Sequence, residues 1–342
     1  MRKMATIRRI EEVKAIPNAD KIVAYRVGGW WVVDSIGKYV VGDLVVYAEP
    51  DSFIPTAIAP FLTKPGHYAK TFEGVEGERL RTVKLRGQLS QGLLLPHDTV
   101  WDKNMFDFNR FVEGDDVSEL LGIFKFEQSV PAELAGEVKG MFPSVIPKTD
   151  QERIQNLSVE LEQWRTEQLT WEVTEKLDGT SMTVYVIDGE VGVCSRNLDL
   201  KRNPDNSLWR AAIRHGLEEK LAGYGNIAVQ GELVGNGIQG NMYKMRDQDF
   251  YVYDVYNVDA GRYFTPAERK TFVDALDLLH CPVFKSDFVL ATETVDDLLK
   301  QAEGKSVMGD IVGPEREGLV FKCNEKQASF KAISNAFLLR DK

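Results

Sequence analysis

The stretch TEKLDGTS, Thr174–Ser181, places a single lysine, Lys176, between Glu175 and Asp178 and directly before a Gly-Thr turn. It follows the strand-like run LTWEV and precedes a second one, MTVYVI. A lysine among acids is most often a salt-bridged surface residue of little energetic weight. The remainder of the chain decides whether that ordinary interpretation applies to Lys176.

Composition is typical of a globular protein of two domains. The chain has 342 residues, of which 43% are hydrophobic and 27% are charged. No apolar run approaches the roughly 18 residues that a membrane-spanning helix needs. The first residues, MRKMATIRRIEEVKAIP, lack the apolar segment of a signal peptide. We therefore expect a cytoplasmic protein without a membrane partner.

Cysteine, histidine and net charge exclude several classes of function. Three dispersed cysteines argue against a disulfide framework, and four scattered histidines form no zinc-binding spacing with them. The net charge of -10 argues against a protein that coats nucleic acid indiscriminately, because such affinity comes from many Lys and Arg contacts. An acidic chain is nevertheless suited to a site that collects divalent cations.

The N-terminal part of the chain, residues 1 to about 100, reads as all-β. Short runs such as KIVAYRVG, WWVVDSIG, DLVVYAE, RLRTVKLRG and QGLLLP are separated by Gly, Pro and Asp. About five strands in this span predict a small OB-like barrel. Residues 101 to 147 read as a connector with a helix candidate in EGDDVSELLGIF. The predicted domains are residues 1–127 and 128–342.

The C-terminal part alternates helices with strands. TDQERIQNLSVELEQWRTEQ predicts a helix capped by Thr149, and SLWRAAIRHGLEEKLAGYG predicts another, stopped by Gly223. TPAERKTFVDALDLL begins with a capping box formed by Thr265 and Glu268. The turn sequence DGE predicts a hairpin between SMTVYVI and VGVCSRN. Short turns between strands indicate an α+β domain with mostly antiparallel strands.

Several short motifs follow one another in a fixed order. They are EKLDGT at 175–180, SRN at 195–197, GELVGNGIQ at 231–239, FYVYDV at 250–255, EGLVFK at 317–322 and SFKAIS at 329–334. This order resembles the covalent nucleotidyltransferases, and in detail the ATP-dependent RNA ligases with an N-terminal OB domain. The resemblance implies an OB-like barrel followed by a mostly antiparallel α+β nucleotidyltransferase domain of the ATP-grasp-like DNA/RNA ligase type.

The chemistry of such enzymes explains why a lysine is required. A neutral amine attacks the α-phosphorus of ATP, whereas a free lysine, with a pKa of about 10.4, is charged at neutral pH. The pKa of Lys176 is therefore expected to be depressed by burial, by neighbouring cations or by a nearby metal. Glu175 and Asp178 would oppose this if they pointed at the amine, so we expect both carboxylates to face elsewhere.

The resemblance implies a role for each remaining motif residue. Arg196 contacts the sugar of AMP, Tyr253 stacks on adenine, and Glu232 accepts a hydrogen bond from the ribose. Taken singly, each is more often a solvated or core residue; their shared order favours the functional interpretation. The cofactor-binding set also includes Glu175, and it consists of Glu175, Lys176, Arg196, Glu232, Tyr253, Glu317, Lys322, Lys331 and Lys148.

The resemblance also implies two groups of charged residues within the site. Asp178, Glu232 and Glu317 form an acidic platform for a hydrated Mg²⁺ or Mn²⁺ ion. Lys322 and Lys331 clamp the α-phosphate and, with Lys176, make up the catalytic group.

Two positions depart from the family pattern. Ile333 stands where many relatives carry a second lysine after Lys331. Either Lys331 acts alone or another cation contributes, and the candidates are Lys148, Lys244 and Arg153, with Lys148 the strongest. Ser181 occupies a position where some relatives have an amide side chain.

The N-terminal part offers candidate nucleic-acid contacts. Arg79, Arg81 and Lys84 lie in RLRTVKLRG, and strand alternation would place Arg79 and Arg81 on one face. Trp30 and Trp31 are candidates for base stacking. The simpler interpretation is that one tryptophan belongs to the barrel core and that the basic residues only solvate an edge.

These observations predict an ATP-dependent RNA ligase that joins 3′-OH and 5′-phosphate ends, chiefly nicks in duplexes with RNA on the 3′-OH side. The expected intermediates are lysyl-AMP and 5′-adenylylated nucleic acid, and the expected form is a monomer bound to RNA or an RNA-containing duplex. A DNA ligase or a GTP-dependent capping-type enzyme would share the first step. A non-catalytic nucleic-acid-binding protein is a further alternative, although the intact motif set weighs against it.

Overall fold

The chain divides into two compact units, Met1–Ser129 and Val130–Arg340. The computed structural model describes residues 3–100, 111–126, 136–308 and 313–340. The predicted boundary between 127 and 128 lies outside these described residues and stays a prediction. No helix in the described residues is long and apolar enough to cross a membrane.

The first unit is built from short antiparallel strands, as its alternating sequence predicts. The strands in its described residues are β1 Ala5–Arg9, β2 Glu12–Ala15, β3 Ile22–Val27, β4 Trp30–Ser35, β5 Leu44–Ala48, β6 Ser52–Pro55, β7 Lys70–Phe72, β8 Val75–Arg79, β9 Val83–Leu85, β10 Gln88–Ser90, β11 Leu93–Pro96 and β12 Phe124–Lys125. They form the sheets β1-β5-β11, β2-β3-β4 and β12-β6-β8-β7, and the hairpin β9-β10. Short 3₁₀ turns occupy Pro60–Leu62 and His97–Val100.

The two adjacent tryptophans of β4 point to opposite sides, as strand geometry requires. Trp30 is 1% exposed and packs against Tyr47 in a core cluster of this unit. Trp31 is half-buried, and the cationic groups of Lys14 and Arg26 each lie 5.6 Å from its ring centroid. Trp30 is therefore a core residue, and only Trp31 presents an outward face.

The basic run RLRTVKLRG is not one strand, so the prediction that Arg79 and Arg81 share a strand face is wrong. Strand β8 ends at Arg79 and β9 begins at Val83. The Arg79 guanidinium pairs with Asp51 at 2.5 Å and lies over an aromatic ring, whereas Arg81 and Lys84 are exposed. Residues 80–82 belong to no strand, so the alternation of side chains ends there.

The helix predicted in EGDDVSELLGIF is also absent from these described residues. The segment forms turns that bury Val117 and Leu121. The Ser118 hydroxyl accepts hydrogen bonds from the amides of Met4 and Ala5, both at 2.9 Å. A serine that satisfies backbone amides of a distant strand competes with helix formation.

The second unit contains two larger sheets with helices around them. Its strands in the described residues are β13 Val138–Met141, β14 Glu152–Arg153, β15 Thr170–Lys176, β16 Thr180–Ile187, β17 Glu190–Cys194, β18 Leu198–Leu200, β19 Ile227–Gly235, β20 Gln248–Asn257, β21 Arg262–Tyr263, β22 Leu279–His280, β23 Val283–Val289, β24 Gly318–Cys323 and β25 Ser329–Ile333. Its helices there are α1 Ser158–Glu167, α2 Ser207–Arg214, α3 Leu217–Leu221, α4 Pro266–Ala275, α5 Val295–Ala302 and α6 Asn335–Leu338.

One sheet has the order β13-β18-β17-β16-β19-β20-β21, with β22 added beside β20, and the other has the order β14-β25-β24-β15-β23. The pairs are antiparallel apart from β20 with β22 and β14 with β25. Each sheet has its own apolar cluster, one with α2, α3 and α4 and the other with α1 and α5. Residues 177–179 join β15 of one sheet to β16 of the other, so the KLDG turn lies where the two sheets meet.

In the second unit, short sequence patterns correctly predict one hairpin turn and one helix cap. The β16–β17 hairpin turns at Asp188 and Gly189, whose φ angles are +51° and +81°. The capping box of Thr265 and Glu268 is present, with Pro266 at the first helical position. The predictions for both elements are confirmed.

Two helix predictions are wrong at their boundaries. The helix expected from Thr149 begins at Ser158, because Glu152–Arg153 pairs as a strand with β25 and a 3₁₀ turn, Ile154–Asn156, follows. The helix expected to run to Gly223 is two helices, α2 and α3. Gly216 between them has a φ of +62°, a left-handed conformation that interrupts a helix.

Candidate active site

Strand register places several predicted site residues on one face of the β24–β15 sheet. Lys176 pairs with Gly318, Glu172 with Lys322, and Lys331 with Val320. Because side chains alternate along a strand, Lys176, Lys322 and Lys331 all project from the same face. They line one cavity of about 360 Å³.

The cavity collects residues from distant parts of the second unit. Every residue of Thr174–Ser181 lines it. The other lining residues are Thr149, Asp150, Gln151, Arg196, Glu232, Gln239, Tyr253, Cys281, Glu317, Val320, Lys322 and Lys331. Of the candidates in the second unit, Lys148 does not line this cavity. Arg79, Arg81 and Lys84 belong to the first unit.

The Lys176 ammonium forms an ion pair with Glu317 at 2.7 Å. Burial lowers the pKa of Lys176, but the negative charges of Glu317 and Glu232 outweigh burial, so the pKa is raised overall. Burial and the neighbouring lysines therefore do not produce the expected depression of this pKa. The physical reason is that carboxylates surround the amine, while Lys322 and Lys331 are occupied by other partners.

Glu175 turns away from the Lys176 amine, as the mechanism requires. Its carboxylate is 1% exposed and accepts a hydrogen bond from the Val307 amide at 3.0 Å. Burial raises the pKa of Glu175. This placement directs the Glu175 carboxylate toward Val307 and not toward the Lys176 amine, as the sequence interpretation anticipated.

Two consecutive amides of the KLDG turn are held by side chains. The Asp178 amide donates to the Tyr243 hydroxyl at 2.7 Å, and the Gly179 amide donates to Glu232 at 3.0 Å. A Cβ atom at Gly179 would lie 2.3 Å from the Leu233 carbonyl oxygen, so only glycine allows this close approach to β19. The turn that carries Lys176 is thus fixed from two sides.

The carboxylates around Lys176 fit a hydrated cation better than a directly ligated one. Burial raises the pKa of Glu232 to about 8, with Lys176 acting in the opposite direction and Glu317 adding to the rise. The negative charge of Asp178 also raises the pKa of Lys176. No group of three or more His, Cys, Asp or Glu side chains in the described part of the chain is arranged to ligate a metal directly. Mg²⁺ keeps several of its waters, so contacts through water remain compatible with this spacing.

Tyr253 and Lys322 form the opposite end of the cavity. The Tyr253 hydroxyl donates to Thr149 at 3.0 Å and lies 3.5 Å from the Ser181 hydroxyl. The Lys322 ammonium lies 5.5 Å from the Tyr253 ring centroid, donates to the Tyr253 carbonyl oxygen, and pairs with Asp254 at 2.5 Å. Lys322 is buried, and desolvation lowers its pKa.

The two lysines expected to clamp one phosphate have different surroundings. Lys322 stands four residue pairs along the strand from Lys176, a separation of about 14 Å at 3.4 Å per residue. Lys331 instead pairs with Asp150 at 3.4 Å, and Arg196 pairs with the same carboxylate at 3.1 Å. Val320 pairs with Lys331, so Lys322 and Lys331 are diagonal neighbours on one sheet face, and their shared contact with one phosphate stays a prediction.

The position of the missing second lysine is apolar. Ile333 pairs with Gly318, at the level of Lys176, and is 4% exposed. Lys148 donates to Asn197 at 2.7 Å and lines a second cavity of about 200 Å³. Neither Arg153 nor Lys244 lines the first cavity. Arg196, beside Lys331, is the cation that the structure brings closest to this role.

Sequence reasoning missed Thr149 and Asp150 as cavity residues. It also missed Tyr243, which holds the Asp178 amide, and Asp254, which pairs with Lys322. Each acts through a contact that spans a long stretch of chain, such as Asp178 with Tyr243. Asp254 lies within FYVYDV, so the motif contained a signal for it. The segment around Thr149 and Asp150 carried a helix-capping signal instead.

Comparison with known proteins gives consistent matches over both units. A family model described as RNA ligase matches residues 169–333, and one described as an OB-fold domain matches residues 4–97. These matches confirm the predicted order of an OB-like domain followed by a ligase domain. No curated protein matches the chain.

Solved structures of the Naegleria gruberi RNA ligase match almost the whole chain. A mutant with AMP and Mn is 42% identical, with a TM-score of 0.88 and coverage of 98% of each chain. A mutant with ATP and Mn gives the same identity, TM-score and coverage. A structure with PPi is 42% identical, with a TM-score of 0.87 and coverage of 99% of this chain and 98% of that chain.

Proposed function

The chain belongs to the RNA ligase family, and from this premise we propose that it uses ATP to join RNA ends through an AMP adduct on Lys176. The observation that carries the proposal is the position of Lys176 at the end of β15, in a cavity that also contains Glu232, Glu317 and Lys331. Relatives solved with ATP or AMP and Mn support ATP as substrate and a divalent cation as cofactor.

In the first step the Lys176 nitrogen attacks the α-phosphorus of ATP. The new N–P bond replaces the bond to pyrophosphate, and the amine loses a proton. Lys176 must therefore be released from Glu317 before it attacks. A Mg²⁺ or Mn²⁺ ion supplies positive charge, and Asp178, Glu232 and Glu317 would hold it through its waters.

The remaining residues divide along the length of the nucleotide. We place Lys331 and Arg196 at the phosphate and sugar, where an incoming nucleotide competes with Asp150 for both cations. Fixed positive charge at that position stabilises the charge that develops during transfer. Tyr253 and Lys322 form the base end, where the Tyr253 ring offers a stacking surface.

Two further steps complete the joining of ends. A 5′-phosphate oxygen attacks the AMP phosphorus, which breaks the N–P bond and regenerates the lysine. The 3′-OH then attacks the adenylylated 5′-phosphate, and AMP leaves. We propose nicks in duplexes with RNA on the 3′-OH side as the preferred substrate, with Arg81 and Lys84 of the first unit contacting the nucleic acid.

The proposed form is a monomer, because residues of one unit of one chain supply the whole cavity. The proposed compartment is the cytoplasm. This proposal is supported by the three cysteines, Cys194, Cys281 and Cys323, which are free thiols as in most proteins of reducing compartments.

The deciding experiment measures transfer of label from α-labelled ATP to the protein. Wild type should form an adduct that requires Mg²⁺ or Mn²⁺ and that, as a P–N bond, is stable in alkali but hydrolysed in acid, and Lys176→Ala should form none. Lys176→Arg is the matched variant, since it keeps the charge but stays protonated. An adduct in Lys176→Ala would overturn the assignment. Label from GTP, or sealing of all-DNA nicks at the same rate, would indicate a capping-type enzyme or a DNA ligase.

A further inference from the structure

A buried charge network lies behind the base end of the cavity. It consists of Glu172, Asp254, Arg269, His280 and Lys322, which come from β15, β20, α4, β22 and β24. The Arg269 side chain is fully buried, with 0% exposure, and those of Glu172, Asp254 and Lys322 are at most 8% exposed. Buried charges are costly unless they are paired, so the arrangement calls for a physical reason.

Arg269 is the centre of the network. Its Nη2 donates to Glu172, its Nε donates to His280 Nε2 at 2.9 Å, and its Nη1 lies 3.8 Å from Asp254 Oδ1. The same Asp254 oxygen is 2.5 Å from the Lys322 ammonium. Arg269 therefore lies within ion-pair distance of the carboxylate that pairs with Lys322.

The charges balance only if His280 is neutral. Two cations, Arg269 and Lys322, face two carboxylates, Glu172 and Asp254. His280 Nδ1 lies 2.6 Å from the Cys281 carbonyl oxygen, which can only accept, so Nδ1 carries the proton and Nε2 accepts from Arg269. Burial, and next the charge of Arg269, lower the pKa of His280. The backbone at Cys281 thus selects the tautomer that holds Arg269.

The network also separates two cavities. Lys322 lines both the cavity that contains Lys176 and the second cavity of about 200 Å³. Arg269 and Asp254 line the second cavity but not the first. Asp254 and Arg269 therefore contact Lys322 from the side of the second cavity.

We propose that Arg269 and His280 are positioning residues that hold the Lys322 ammonium in place for the base of ATP. The inference rests on the proposed function, since it needs the first cavity to be the ATP site. A residue that acts through Lys322 at the base end affects ATP binding in the ground state. Its loss raises the half-saturating ATP concentration, whereas the limiting rate of transfer to Lys176 changes little.

The test compares His280→Asn with His280→Gln in the full-length protein. Asparagine reproduces the Nδ1 donor to Cys281 but cannot reach Arg269, whereas glutamine can place an acceptor at the Nε2 position. Loss of one buried hydrogen bond predicts about a tenfold rise in half-saturating ATP for His280→Asn, with recovery of most of that affinity in His280→Gln. The half-buried His215 in the same unit supplies the matched control, His215→Asn, which should leave this concentration unchanged.

The readout is the rate of adduct formation as a function of ATP concentration. The half-saturating ATP concentration depends only on the folded molecules that react. A partly unfolded preparation therefore lowers the amount of adduct formed but leaves this concentration unchanged. Arg269→Lys, which keeps the charge but cannot contact His280 and Glu172 together, is the second variant and should show the same rise. An unchanged half-saturating ATP concentration in His280→Asn or in Arg269→Lys overturns the positioning role. Absence of an adduct in wild type rejects the proposed function instead.

Discussion

The charge state of Lys176 is governed by its neighbours rather than by its burial. Glu317 lies 2.7 Å from the amine, and Glu232 adds negative charge nearby, so the pKa of Lys176 is raised although burial alone would lower it. Nucleophilic attack needs the opposite condition. Any cation that competes for Glu317 and Glu232 removes the charges that hold the proton on Lys176, which links cation binding to activation of the nucleophile.

Tyr243 gives a prediction at the scale of one atom. Tyr243→Phe removes the acceptor of the Asp178 amide, and a buried amide without a partner is costly. We expect adduct formation to slow by about tenfold, since the turn that carries Lys176 loses one of its two supports. The measurement is the single-turnover rate at saturating ATP.

The matched control for Tyr243 is Tyr224→Phe, because Tyr224 is 45% exposed and packs edge-on against Phe272, away from the cavity. Its rate should equal that of wild type. Equal rates in Tyr243→Phe and wild type would show that Glu232 alone fixes the turn.

The sequence pointed to the residues whose side-chain chemistry the proposed reaction requires. It did not point to the residues that hold those side chains in place. Lys176, Glu232 and Glu317 stand in motifs because transfer of AMP needs an amine and carboxylates. Asp150 reaches Lys331 across a sequence separation of 181 residues, which no local pattern encodes. The raised pKa of Lys176 was unpredictable for the same reason, since it depends on which carboxylate lies nearest in space.

At the scale of elements, local signals predict a helix start only where no strand competes for the same residues. Thr265 caps α4 as its sequence indicates. Thr149 has a similar signal, yet Glu152 and Arg153 pair with Phe330 and Lys331 instead. That pairing brings the Thr149–Gln151 segment to the cavity, so tertiary contacts with the site override the helix propensity.

The start of α4 provides a pH-dependent prediction. Hydrogen bonds from Arg262, and next from the Thr265 amide, lower the pKa of Glu268 from 4.5 to about 2. A depressed pKa stabilises the folded state above the unfolded value, and the contribution is lost as pH falls from about 4.5 towards 2. Glu268→Gln keeps a capping-box side chain and removes this charge. We expect a loss below about 1 kcal/mol at pH 7, since the pair is exposed, and none near pH 2.

Urea unfolding at several pH values measures this difference. The control is Glu160→Gln, which alters an exposed glutamate in the first turn of α1. A difference between Glu268→Gln and wild type that persists undiminished at pH 2 would contradict the assignment to Glu268 ionisation.

At the scale of the whole molecule, the order of the two units was predictable because their sequence periodicities differ. Alternating apolar residues before residue 100 and mixed helix and strand patterns after residue 150 indicated two domains. The number of short strands in the first unit was not predictable, since the break between Arg79 and Val83 lies inside a run that the sequence predicts as one strand. The described residues that line the cavity all belong to the second unit, so we expect reaction with ATP to be separable from the joining of ends.

The division into units predicts that the two activities can be separated by truncation. Residues 128–342 contain all the described residues that line the Lys176 cavity, so this fragment should still form the AMP adduct. Joining requires more, because a 3′-OH must be aligned with an adenylylated 5′-phosphate, and alignment supplies a large entropic part of the acceleration. Arg81 and Lys84, both exposed in the first unit, are the proposed contacts for that alignment. Loss of residues 1–127 should therefore abolish most nick sealing.

The double variant Arg81→Ala/Lys84→Ala in the full-length chain is the matched test for those two contacts. It should form the adduct at the wild-type rate and seal nicks more slowly, with a weaker dependence of sealing on salt because fewer phosphate contacts remain. The control variant Lys38→Ala/Lys64→Ala removes the same charge elsewhere in the first unit. It should seal nicks at a rate closer to that of wild type. Equal sealing by the truncated and full-length proteins would show that the second unit alone aligns the ends, and that the first unit serves another partner.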